Sequence, residues 1–191
     1  MLAYVFWHWP SVEVDRQAYE ASLQGFQTVL SENKPAGFYD AAVFRIKGAP
    51  WLPANTSGYE DWYIVQDSGA LDLLNDAAVT PPRKDAHDVA ARQAAGGTAG
   101  LYRLRQGQLT VGRARTAVWL AKPAGMSYAD FFAALAPLTG QPDTGLWGRQ
   151  MTLGPTTEFC LLSPEEIVLP GNLTGLNLRL ESIWPLKKPP T

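Results

Sequence analysis

Imidazole is the side chain best suited to moving protons near neutral pH, and this sequence has only two, His8 and His87. His8 stands near the end of an aromatic run, Ala3-Tyr-Val-Phe-Trp-His-Trp9, which Pro10 stops. His87 follows a proline-containing break, Pro81-Pro-Arg-Lys-Asp-Ala-His87, and falls in the first turn of a helix if Asp85 is its cap. Either ring could act as a base or a ligand. Other groups offer less. Cys160, the sole cysteine, lies among Phe159, Leu161 and Leu162 and reads as a small core residue. Gly96-Gly-Thr-Ala-Gly100 leads into a strand, so it lacks the helix dipole that holds a phosphate. Two distant histidines without cysteine neighbours do not make a structural zinc site, and no metal is expected.

The elements that must position these residues follow from pattern. Ala3–Trp9 is a strand by composition. Asp15 is a plausible N-cap for a helix whose apolar residues, Tyr19, Leu23, Phe26 and Leu30, are spaced by 4, 3 and 4. Phe38–Ile46 and Tyr59–Val65 read as strands around a long loop at Gly48–Gly58. Ala70–Val79 and Asp85–Ala95 read as helix, Gly96-Gly97 closes the second, and Ala99–Arg105 is a fourth strand. The order β-α-β-β-α-β then recurs: a strand at Thr116–Lys122, a helix capped by Ser127, strands at Leu146–Leu153 and Glu158–Leu162, a turn or two of helix from Ser163, and a last strand at Leu176–Trp184. Short matches accompany the order. Tyr4–Pro10 lies over Ala117–Pro123, Gly37-Phe-Tyr39 over Gly145-Leu-Trp147, and Asp61-Trp62 over Glu158-Phe159. Such a repeat implies two units, residues 1–109 and 110–191. In the first strand Val5, Trp7 and Trp9 alternate with Tyr4, Phe6 and His8, so both faces are apolar and both need covering. The expected fold is α+β: two tandem ferredoxin-like βαββαβ repeats, their antiparallel sheets packed face to face as an intrachain α/β barrel.

The totals narrow the classes. Of 191 residues, 46% are hydrophobic, enough for a sizeable core. A net charge of −2 without a basic run argues against nucleic acid as a partner. No stretch approaches the roughly 20 apolar residues of a membrane span. One cysteine excludes an internal disulfide, and a cytoplasmic location is expected. The segment from Pro185 to Thr191 reads as a frayed tail.

The repeated βαββαβ order and the two-faced apolar strands resemble the dimeric α/β-barrel superfamily in its fused two-repeat form. That superfamily includes cofactor-free monooxygenases, haem-degrading enzymes, stress-responsive barrels with small cyclases among them, and chlorite-dismutase-like haem proteins. In the stress-responsive barrels a first-strand histidine and one after a proline-containing break face a common pocket. The resemblance implies that role for His8 and His87. Tyr39, Trp62 and Tyr63 are then candidates to line the cavity, and Arg45 or Asp61 to orient a polar substrate. Each residue also has a plainer reading: a packed strand-end histidine, a solvent-facing His87, aromatics that are simply core. Three functions follow. The first is a binding protein or cofactor-free enzyme for a small apolar or aromatic compound, its site in the first unit. The second is a haem protein with His87 as axial ligand and Trp62 as pocket wall. The third is a scaffold without chemistry. A homodimer is open to all three, and catalysis itself is left open.

Overall fold

The first strand, β1 (Leu2–Pro10), sends Val5 and Trp7 to one side and Tyr4, Phe6 and His8 to the other. Residues 1–54, 56–108 and 110–185 are described by a computed structural model, and the predicted tail lies outside them apart from Pro185. Helix α1 (Arg16–Glu32) starts where Asp15 accepts the backbone N–H groups of Gln17 and Ala18, and it buries Tyr19, Leu23, Phe26 and Leu30. Strands β2 (Phe38–Ile46) and β3 (Gly58–Val65), helices α2 (Ser68–Ala78) and α3 (Lys84–Gln93) and the long strand β4 (Ala94–Gly107) complete the first βαββαβ unit. The second has β5 (Thr116–Leu120), α4 (Tyr128–Thr139) capped by Ser127, β6 (Gly145–Arg149), β7 (Phe159–Ser163), β8 (Gly175–Arg179) and β9 (Glu181–Trp184).

The nine strands run in the order β8-β5-β7-β6-β4-β1-β3-β2-β9. Its two ends, β8 and β9, are consecutive stretches of one segment, joined at Leu180, whose N–H donates to the Arg115 carbonyl. The sheet is therefore a nearly closed barrel. Each unit ends in a strand that pairs with its own first strand and with the second strand of the other unit. Thus β4 pairs β1 and β6, while β8 pairs β5 and β9 pairs β2. The interior is aromatic. Trp7, Trp62, Trp119, Trp147 and Tyr102 are all buried there. Trp51, from the long loop between β2 and β3, packs edge-on against Trp7 and Trp119. Helices cover the outer faces, as expected of two stacked ferredoxin-like sheets.

Several local expectations are corrected. Gly96 and Gly97 do not end a helix; they lie inside β4. A Cβ on Gly96 would come within 2.7 Å of the Trp9 ring, and one on Gly97 within 2.5 Å of the Phe6 ring and 2.9 Å of the Trp7 carbonyl oxygen. These glycines leave room for aromatic rings on both faces of the sheet, Trp9 on one and Phe6 on the other. Gly97→Ala is therefore expected to destabilise the fold by about 1–3 kcal/mol, as overpacking does, read as a lowered urea midpoint. Asp85 is not a cap: α3 begins after Arg83, without a side-chain cap, and Asp85 sits inside its first turn. No helix starts at Ser163, which ends β7; the chain after it is irregular to Gly175. Finally, the two copies align one residue away from the apparent match in their first strand and three residues away in their third. Trp7 opposes Glu60 across β1 and β3 as Trp119 opposes Cys160 across β5 and β7, all four facing the interior. The counterpart of His8 is therefore Leu120, not Ala121, and that of Asp61 is Leu161.

Candidate functional site

Between the outer face of the first unit's sheet and helices α1, α2 and α3 lies a cavity of about 600 Å³. Strand alternation puts Tyr4, Phe6 and His8 of β1 and Asp61 and Tyr63 of β3 on its floor. Helix α1 adds Tyr19, Leu23 and Phe26, and α3 adds His87. Asp72 and Asn75 of α2 also reach it.

The floor carries one continuous polar network in an apolar setting. His8 Nδ1 lies 2.6 Å from the Tyr19 hydroxyl and His8 Nε2 lies 3.0 Å from Asp61 Oδ1. The Tyr63 hydroxyl donates to Asp61 Oδ2 at 2.9 Å, and Gln27 Nε2 donates to the Tyr63 oxygen at 3.0 Å. The His8 ring stacks between Phe6 and Tyr59, with centroids 4.9 and 5.5 Å away. The side chains of His8 and Asp61 are 2% and 4% exposed. Burial, reinforced by the Asp61 charge, pushes the Tyr19 and Tyr63 hydroxyls up, so both remain protonated donors. A buried imidazole–carboxylate pair is costly to desolvate and survives only when its remaining polar atoms are matched, as they are here.

The second unit has no such floor. Its equivalent positions hold Leu120 and Leu161, and Ile167 and Leu173 from the irregular segment join Phe131 and Leu135 of α4 in filling the space above them.

Of the residues singled out from sequence, His8, His87, Asp61 and Tyr63 share this cavity. Three others sit elsewhere. Trp62 faces the barrel interior, because it alternates with Asp61 and Tyr63. Tyr39 is 46% exposed on the outside of β2. Arg45 is held by Glu20, at 2.6 Å, and by Glu181. His87 packs edge-on against Phe26 at 5.6 Å and contacts Asp88 at 3.3 Å. It belongs to the wall and stands apart from the network. Nothing in the local sequence marks Tyr19 and Tyr4 as cavity residues. Tyr19 heads an apolar helical stripe, where a tyrosine looks like core.

A second buried acid lies across the sheet. Glu60, fully buried in the barrel interior, accepts the indole N–H of Trp62 at 2.6 Å and of Trp7 at 2.7 Å. Burial, with a smaller push from Asp61, outweighs these bonds and raises its carboxyl to about 7.

The fold and cavity define the class: this is the dimeric α/β-barrel fold in fused two-repeat form. No protein-family model and no curated protein matches the sequence. Among solved structures, a monooxygenase candidate from Lactobacillus acidophilus superposes over 95% of this chain and 94% of its own, at 10% identity and a TM-score of 0.52. An anthrone oxidase-like protein aligns over 96% of this chain and 93% of its own, at 8% identity and a TM-score of 0.45. A dimeric ferredoxin-like protein of unknown function from Bacteroides fragilis covers 53% of this chain with 94% of its own, at 13% identity and a TM-score of 0.38.

Haem, which some proteins of this fold carry, does not fit the lining. Its two propionates need cations, and the cavity is lined by Asp61 and Asp72 with no Lys or Arg among the described residues. Trp62, the expected wall of a haem pocket with His87 as axial ligand, faces the barrel interior on the other side of the sheet from His87. Among the described residues no cluster of three or more His, Cys, Asp or Glu side chains could hold a metal ion, and no helix is long and apolar enough to cross a membrane.

Proposed function

We propose that this protein binds a small, largely apolar aromatic compound in the cavity of its first unit and acts on it as a cofactor-free enzyme. The second unit is the scaffold that closes the barrel. One observation carries the reading: a matched Tyr19–His8–Asp61–Tyr63 network at the floor of a cavity whose other walls are mostly aliphatic and aromatic. The volume suits a compound of a few fused or linked rings. A proton-transfer network at the floor of a largely apolar cavity supports acid–base work on such a compound without an added group. The single cysteine, Cys160, is buried with its thiol pushed up by burial, and we place the protein in the reducing cytoplasm.

A thermal-shift screen of neutral phenols, quinones and aromatic acids tests the site. Neutral aromatic compounds are expected to raise the Tm of the wild-type protein and to leave Ala78→Trp, with an indole in the cavity, unmoved. Compounds that stabilise both proteins equally would place binding elsewhere.

A further inference from the structure

We infer that the group meeting the ligand at the cavity floor is the Tyr19 hydroxyl, with His8 acting through it, and that the ligand is a neutral phenol or enol ionised by that relay. This rests on the binding reading above and specifies its chemistry.

The argument is an inventory of donors and acceptors. With a neutral imidazole, His8 Nε2–H donates to Asp61 Oδ1 and Nδ1 accepts from Tyr19. His8 then has no nitrogen left for a substrate. Asp61 is committed at both oxygens, to His8 and to Tyr63. The Tyr63 hydroxyl gives its proton to Asp61 and accepts from Gln27. The donations therefore run Gln27 to Tyr63 to Asp61 from one side, and Tyr19 to His8 to Asp61 from the other. Tyr19 ends the series: it gives a proton and receives none among the described contacts, and it lines the cavity. Two acceptors of the network have no donor among the described contacts, the Tyr19 oxygen and Gln27 Oε1, and of these two residues Tyr19 is the one that lines the cavity.

A ligand hydroxyl placed on the Tyr19 oxygen completes a relay. The ligand O–H bond breaks as a new Tyr19 O–H forms, and the original Tyr19 O–H breaks as the His8 Nδ1–H bond forms. The products are a ligand oxyanion that accepts from the Tyr19 hydroxyl, and an imidazolium paired with the Asp61 carboxylate. No electrons change hands. Tyr19 is neutral before and after, as its environment demands. The same lining selects the charge of the incoming compound. A preformed organic anion would meet Asp61 and Asp72 without a cation, whereas a neutral hydroxyl becomes charged only as an imidazolium forms nearby.

Nitrophenols and hydroxycoumarins report their own ionisation by absorbance and serve as probes at pH 6, where they are mainly neutral in solution. With wild-type protein the bound probe is expected to show the phenolate band. Tyr19→Phe is expected to reduce the phenolate fraction of the bound probe at least tenfold. The 15N spectrum of wild-type protein provides a reading that needs no variant of the network. On probe binding His8, distinguished from His87 with His87→Gln, should show protons on both ring nitrogens. A phenolate band retained in Tyr19→Phe would mean that His8 acts directly and would overturn the relay. A probe that binds wild-type protein, and not Ala78→Trp, yet stays neutral would overturn the relay and leave the cavity reading standing. Failure of the whole series to bind, or binding undiminished by Ala78→Trp, would overturn both.

Discussion

Asp61→Leu alone is expected to destabilise the protein by about 3–5 kcal/mol, whereas His8→Leu combined with Asp61→Leu should recover most of that loss. The single variant leaves His8 and the Tyr63 hydroxyl in an apolar layer without the acceptor that both use, the situation in which a broken buried pair costs most. The double variant puts leucine at both places, as the second unit has with Leu120 and Leu161, and leaves only the neutral Tyr19 and Tyr63 hydroxyls without acceptors. Replacing a whole buried pair with apolar residues of similar volume is commonly neutral or favourable. A double-mutant cycle by urea denaturation measures the coupling. Additive losses in the two single variants would show that the pair is not a unit. A nitrophenol bound by the double variant should stay neutral despite the variant's stability, because Tyr19 has lost its base.

The other large effect belongs to Glu60. Its carboxyl is raised from an ordinary 4.5 to about 7 by burial. Between these values the native state holds a proton that the unfolded chain has released, so stability falls as pH rises. The contribution is present in full below pH 4.5 and lost by about pH 7. Its size is on the order of 3 kcal/mol. Glu60→Gln removes the ionisation but offers one carbonyl oxygen to two indole donors, a pH-independent cost of about 1–2 kcal/mol. Unfolding free energies of both proteins from pH 5 to 8 should therefore converge or cross as pH rises. Parallel curves would show that Glu60 does not titrate in this range.

The architecture was legible because it rests on patterns that tertiary context rarely overrides. The cap at Asp15, the stripe from Tyr19 to Leu30 and the two-faced aromatics of β1 all act locally, and the βαββαβ order recurs in plain view. The site was half legible. His8 and Asp61 were visible as polar residues in apolar strands, and His87 by its scarcity. Trp62 was misplaced although alternation forbids it from sharing a face with Asp61 and Tyr63. Arg45 lies on the same strand face as the site but is drawn to Glu20 and Glu181, a partner 136 residues away that no local rule identifies. Tyr19 was hidden because a buried tyrosine and a buried phenylalanine occupy the same stripe, and its hydroxyl matters only once β1 lies beneath it. The apparent repeat is one residue out of register in β1 and three in β3 because bulky residues stand on both faces, and a slip by an odd number of residues exchanges interior for exterior.

The reciprocal strand exchange has a consequence for synthesis. Among the described residues the outer edge of β2, at Val43 to Arg45, pairs with Glu181 to Trp184. A nascent chain emerges N-terminus first at roughly 5–20 residues per second, so the half that carries the network is made before the strand that pairs its edge, and that edge stays unpaired until Glu181 to Trp184 have followed. Neither half can be cut free as a finished module. The scaffold copy is thus the late-arriving staple of the working one, and the order of the two along the chain decides which waits for the other.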